Sequence, residues 1–237
     1  LIITPIIVFT LGVKDYGVYL FITSAMSLFS ILDLGVGIAV SKHMAFYFGK
    51  NDQASVKRLV HTGNLIFFIT GALGLAVSAL VTYIGFSLLP SSFASYEQYI
   101  NLFIFAGGIF FFNVIISSYA SILYALQRFD ISNIIGVIFT TVSSLTMLFV
   151  VRMGWSLHGI FISQLVLAAI YAFIIFYIAK KLLPSATFEF HWHKKEFLEC
   201  YTFGFVSSIN TLANTALSSL DKLVIPFFVG PSNLTYY

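Results

Sequence analysis

Residues 59–96 read "LVHTGNLIFFITGALGLAVSALVTYIGFSLLPSSFASY", a stretch without a single Asp, Glu, Lys or Arg. A helix needs about 20 apolar residues to cross the hydrocarbon core of a bilayer. This run is long enough for one crossing and a turn beyond it. Spanning β-strands would instead show alternating segments of about ten residues separated by turns. The run is continuous, so it is read as a membrane helix.

The rest of the chain repeats the pattern. Uncharged runs cover 16–32, 98–127, 131–151, 153–179 and 200–220, and beyond Asp33 the second run continues to Ser41. With the apolar opening "LIITPIIVFTLG", taken as the end of a helix whose start is missing, this gives seven expected spans: 1–10, 16–42, 59–89, 99–127, 131–151, 157–179 and 198–229. Only 9% of the 237 residues are charged and 59% are hydrophobic, against roughly 25% charged in a soluble domain. A soluble fold could not cover its surface with so few polar side chains. The expected class is therefore an all-α polytopic membrane protein.

The loops give the orientation. Lys42, Lys50, Lys57, Arg58, Arg128, Lys180, Lys181, Lys194 and Lys195 fall on one side, and only Lys14 and Arg152 on the other. Lys and Arg accumulate in cytoplasmic loops, which places 43–57 and 180–196 in the cytoplasm and 89–99 outside. The mild excess of basic residues suits a membrane surface and no nucleic acid. Cys200 is the one cysteine, which excludes an internal disulfide and makes no metal site. His191 and His193 in "FHWHKK" could ligate a metal, but two histidines make a weak signal, and they read as a soluble interfacial loop. No cofactor or metal is expected.

Function must then reside among the helices. Asp33 sits in the second span, where a carboxylate at membrane depth is costly unless paired or hydrated. Ser27, Ser30, Asp33, Gly37 and Ser41 recur every three to four residues. They form either a cavity wall, with Asp33 as a cation or proton site, or a seam of small residues between packed helices. In the last span Ser207, Thr211, Asn214, Ser218 and Asp221 are spaced four, three, four and three apart, which keeps them on one helical face. That face lines a cavity or meets another helix. Asp221 joins Asp33 as a candidate ion-coupling group. Lys222 points about 100° away from Asp221 and either snorkels to headgroups or meets an anion such as a diphosphate. Asn113, Ser117 and Ser121 read as interhelical hydrogen bonding, Gly74 with Ser78 as a packing pair, and Arg128 with Asp130 as anchors at an inner turn.

Two segments suggest an internal repeat. "IIVFTLGVKDYGVY" (6–19) and "VIPFFVGPSNLTYY" (224–237) align at a shift of 218 residues through Ile7 and Ile225, Phe9 and Phe227, Gly12 and Gly230, and Tyr19 and Tyr237. Both would follow outward-running helices, as in transporters with two like-oriented halves. On that basis residues 1–185 are expected to be an N-terminal six-helix lobe. Residues 186–237 would be the cytoplasmic interlobe loop and helix 7, opening a second lobe.

These features resemble the polysaccharide-biosynthesis flippases of the multidrug/oligosaccharidyl-lipid/polysaccharide exporter superfamily. The residues that carry the resemblance are Leu11-Gly12, Tyr16-Gly17, Asp33-Leu34-Gly35 with Lys42, then "YALQRFDISNII" (124–135) and "LDKLVIPFFVGPSNLTYY" (220–237). One departure is Thr10, where members often carry an arginine. The resemblance implies two six-helix lobes arranged in a V and alternating access to a cavity lined by helices 1, 2, 7 and 8. It implies a lipid-diphosphate-linked oligosaccharide as cargo, moved from the cytoplasmic to the outer leaflet and driven by H⁺ or Na⁺. A prokaryotic inner membrane and contact with polysaccharide polymerase or assembly proteins are expected with it. The rivals are a multidrug/cation antiporter of the same superfamily and a membrane glycan polymerase or ligase, although Glu97 alone is poor equipment for the latter.

Overall fold

The computed structural model describes residues 3–29, 35–88, 99–187, 189 and 191–229, with side chains left undescribed over 3–5, 85–88 and most of 210–229. Among the described residues every regular element is a helix: α1 (Ile3–Leu11), α2 (Val13–Ser27), α3 (Val36–Gly49), α4 (Gln53–Leu88), α5 (Leu102–Ala125), α6 (Phe129–Arg152), α7 (Leu157–Leu182) and α8 (Lys194–Val229). The windows Gln53–Ile84, Leu102–Ala125, Phe129–Arg152 and Leu157–Leu182 are long and apolar enough to cross a membrane, with mean hydropathy of 1.9 to 2.3. The protein is an all-α, multi-pass membrane protein.

The α3/α4, α5/α6 and α7/α8 connections lie at one end of the bundle, and the first two are tight turns. Asn51 and Gln127 take left-handed φ values of 56° and 57°. Arg128 donates to both carboxylate oxygens of Asp130, at 3.1 and 3.2 Å, so the two expected anchors pair with each other across the turn. At the opposite end the Tyr99 hydroxyl donates to Asp15 at 2.5 Å.

Two apolar clusters fill the interior. One packs Val40, Met44, Leu59, Phe67, Tyr119 and Ile175 toward the basic end. The other packs Phe21, Ile22, Leu102, Phe103, Val150 and Ile160 toward the far end. The outer surface is apolar as well. On α7 the exposed residues Ile162, Val166, Ile170, Phe173 and Tyr177 fall at helical spacing, a stripe that in water would be a liability and in lipid is the matching surface.

Close approach of α4 and α5 depends on small residues. A Cβ on Gly74 would collide with the Phe110 ring, and one on Gly107 would stand 2.5 Å from the Ser78 Cβ. Ser78 satisfies its hydroxyl by donating to the Gly74 carbonyl at 2.8 Å. The Gly74–Ser78 packing pair expected from the sequence is thus present, with its complement on α5.

The second span differs from expectation. Where a single helix over 16–42 is expected, the described residues form α2, ending at Ser27, and α3, beginning at Val36. Gly35 precedes α3 with φ 65° and ψ 18°, a left-handed conformation. An L residue with a side chain is disfavoured there, so the glycine ends one helical phase and starts another. Of the stripe's described members, Ser27 therefore stands on α2 and Gly37 and Ser41 on α3. A similar break lies earlier: Gly12, at φ 85°, separates α1 from α2.

Candidate functional site

A cavity of about 1040 Å³ opens between α3, α5, α6 and α7. Its wall carries Ser41 and Lys42 from α3, Ser117, Ser121 and Tyr124 from α5, Ser132, Asn133, Gly136, Thr140 and Thr141 from α6, and Tyr171 from α7. Lys42 and the α5–α6 turn place its mouth toward the basic end, and Thr140 and Thr141 carry it to mid-bundle. Among the described lining residues Lys42 is the one charge. Its ammonium also sits 3.5 Å from the centre of the Phe203 ring on α8, a cation–π contact that holds the charge between cavity and α8.

The hydroxyls in this wall are partly committed. Thr140 and Thr141 donate to the carbonyls of Gly136 and Val137 at 2.8 Å each. Ser41 donates to Gly37 at 2.9 Å and to the Ser121 carbonyl of α5 at 3.1 Å. Ser/Thr bonding to the preceding turn lets a helix carry hydroxyls in an apolar setting. Each oxygen retains acceptor capacity, so the wall offers a set of acceptors, one amide and one cation.

Of the residues singled out from the sequence, Ser27 ends α2, half-buried, and donates to the Ser24 carbonyl at 2.6 Å. Ser207 lies on α8 and faces the break before α3: a Cβ on Gly35 would stand 3.2 Å from its Cβ and 2.6 Å from the Gly204 carbonyl oxygen. Gly35 thus packs against the first member of the α8 stripe. Ser30 and Asp33 lie outside the described residues. Thr211, Asn214, Ser218, Asp221 and Lys222 fall within α8 as backbone, with their side chains outside the description.

The α6 contribution was missed. Ser132, Gly136 and Thr140 are four apart, with Asn133 and Thr141 beside them, which is as regular as the α8 pattern. It escaped notice because no charge marks it. The Ser121 hydroxyl donates within α5 to the Ser118 carbonyl, and it is the Ser121 backbone carbonyl that accepts from Ser41 of α3, while Ser117 lines the cavity.

A second polar assembly fastens the start of α8 to α3 and α4. Tyr47 donates to Glu199 at 2.7 Å, and the Arg58 guanidinium donates to Glu196 at 2.7 Å. Glu196 is only 2% exposed. Burial, the largest single influence, opposes its ionisation, but the Arg58 hydrogen bond, the backbone hydrogen bond and the nearby positive charges together hold the carboxyl below its ordinary range. Burial, then the bond to Glu199, pushes the Tyr47 phenol up. Burial likewise lowers the His43 imidazole despite Glu199 nearby. Further along, Asn64 donates to the Thr187 carbonyl at 2.9 Å and Thr62 to the His191 carbonyl at 3.3 Å. None of these partners was paired by sequence reasoning, because they lie more than a hundred residues apart.

Comparison with known proteins agrees with this architecture. No curated protein and no solved structure matches the chain. The family described as "Polysaccharide biosynthesis protein" matches residues 1–237. A multi-pass helical bundle fits that match over its whole length, and the chain belongs to the polysaccharide biosynthesis protein family.

Proposed function

We propose that the protein moves a lipid-diphosphate-linked oligosaccharide from the cytoplasmic to the outer leaflet by alternating access, coupled to a gradient of H⁺ or Na⁺. The observation that carries this reading is the cavity of about 1040 Å³ with Lys42 at its basic-end mouth. Ligand sites usually run to roughly 300–1,000 Å³, so this one suits a bulky cargo. Hydroxyl and amide groups are the natural partners of sugar hydroxyls, and a lysine is a point charge suited to phosphate. Family membership supports a role in polysaccharide production.

On this reading residues 1–185 form the first lobe, and 186–237 the interlobe segment and the opening helix of a second. Asp33 and Asp221 are the coupling candidates. Ser27, Ser30, Ser207, Thr211, Asn214, Ser218 and Lys222 complete the transport path. The protein acts in a prokaryotic inner membrane beside the polymerase and assembly proteins that use its product, and it performs no bond chemistry of its own.

The test is complementation of a strain lacking its polysaccharide flippase. Restored surface glycan supports the proposal. Drug resistance without glycan supports a cation antiporter instead. Asp33→Ala and Asp221→Ala should each abolish export, and intact export in both variants sinks their assignment.

A further inference from the structure

One cluster takes no part in the reading above. His61, two turns into α4, is 4% exposed. Its Nε2 lies 3.5 Å from a carboxylate oxygen of Glu189 and 3.2 Å from the Thr187 hydroxyl. The His191 ring centre is 5.3 Å from that of His61. One ligand atom from each of His61, Glu189 and His191 falls within 4.8 Å of the others. Local spacing could not reveal this grouping, because His61 is far from "FHWHKK" along the chain.

The geometry is held from both sides. Asn64 fixes the Thr187 carbonyl and Thr62 fixes the His191 carbonyl, so α4 grips the backbone just before Glu189 and again at His191. Asn64 is itself oriented by Ser118, whose hydroxyl donates to its side-chain oxygen at 2.9 Å. Zinc takes nitrogen and carboxylate ligands at about 2.0–2.2 Å in a tetrahedron, which sets neighbouring ligand atoms about 3.4 Å apart. The His61–Glu189 separation already matches. The exposed His191 ring needs only a modest rotation to close the third edge.

We propose that His61, Glu189 and His191 form a three-ligand site for a borderline divalent cation, Zn²⁺ foremost, where the segment between α7 and α8 crosses α4. Two imidazoles with one carboxylate favour such a cation over Mg²⁺ or Ca²⁺, which require more oxygen ligands. Binding converts the His61 Nε2 from a partner of Thr187 into a metal ligand and leaves a fourth position for water. Glu189 supplies the negative charge, while Lys57 and His193 stand close enough to His61 to oppose the cation. The site is therefore one that fills and empties, and a bound ion ties residues 189–191 to α4.

The experiment titrates the full chain, purified in detergent without a histidine tag, with Co²⁺ followed by visible absorption, then displaces it with Zn²⁺. One equivalent with the intense bands of tetrahedral Co²⁺, displaced by Zn²⁺, is expected. Glu189→Gln and His191→Ala alter exposed residues and should leave gel-filtration profile and thermal midpoint unchanged. Each should weaken the metal by at least about 10–100-fold, the loss typical even of changes behind a ligand. Absence of saturable uptake overturns the proposal. So does uptake that persists unchanged in both variants, which would place the metal elsewhere.

Discussion

Gly35 and Gly204 meet backbone to backbone: a Cβ on Gly35 would lie 2.6 Å from the Gly204 carbonyl oxygen. The contact brings the break in the second span against α8. Two demands fall on Gly35, a left-handed φ and the absence of a side chain. Gly35→Ala is expected to destabilise by about 1–3 kcal/mol and to reduce export more than its thermal midpoint explains. A variant with unchanged stability and transport would show that the approach is dispensable.

Gly136 offers the contrasting case. A Cβ there meets only the Tyr171 hydroxyl, at 3.8 Å, so Gly136→Ala should be tolerated and could gain up to about 1 kcal/mol from helix propensity. Gly136→Trp projects into the cavity. It should leave folding intact and block glycan export, scored by surface-polysaccharide staining. Export at wild-type level in the Trp variant would exclude this cavity from the cargo path.

Lys42 is expected to act as a point charge. Lys42→Ala should lower export about tenfold or more, the loss of roughly 1.4 kcal/mol of recognition, and Lys42→Arg should restore much of it. Equal loss in both variants would show that a positive charge at this position is not what export requires, since an arginine also keeps a cation–π contact with Phe203.

The Arg58–Glu196 pair predicts acid sensitivity. Glu196 has a folded-state pKa below its unfolded value, so its contribution is present above the ordinary carboxyl range and is lost as pH falls through the lowered folded value. Thermal midpoints should drop on acidification below about pH 4.5, and the drop should shrink in Glu196→Gln. Arg58→Ala leaves a buried carboxylate unpaired. With Arg58 itself 40% exposed, about 1–3 kcal/mol is expected.

The α4–α5 seam admits a rescue test. Gly107→Ala puts a methyl against Ser78 and should destabilise by roughly 1–3 kcal/mol. Adding Ser78→Gly should recover most of the loss. Failure of the double variant to improve on the single one would show that the clash is relieved by backbone movement.

Hydrophobic runs and loop charges made the helical membrane fold legible, because bilayer thickness imposes a length that sequence displays directly. Small residues were legible too: Gly74 and Ser78 pack as their spacing suggested. The break at Gly35 was not, since an uncharged run conceals a change of backbone conformation. Asp33 drew attention as a charge in an apolar setting, whereas Ser132, Asn133 and Thr140 are neutral and needed the cavity to be seen. Pairings such as Tyr47 with Glu199 depend on how helices dock, and no local pattern encodes that.

The fastening of the α8 start has a mechanical consequence. Glu196 and Glu199 are grafted onto α3 and α4, so, if the proposed lobes move against each other, the proposed boundary at residue 185 is not where one moving body ends and the next begins. On the proposed transport cycle, the root of α8 travels with the first lobe as its lever arm. Relative motion of the lobes must then be taken up beyond Glu199, by flexing of α8, or else by unlatching Tyr47 and Arg58 at each turnover.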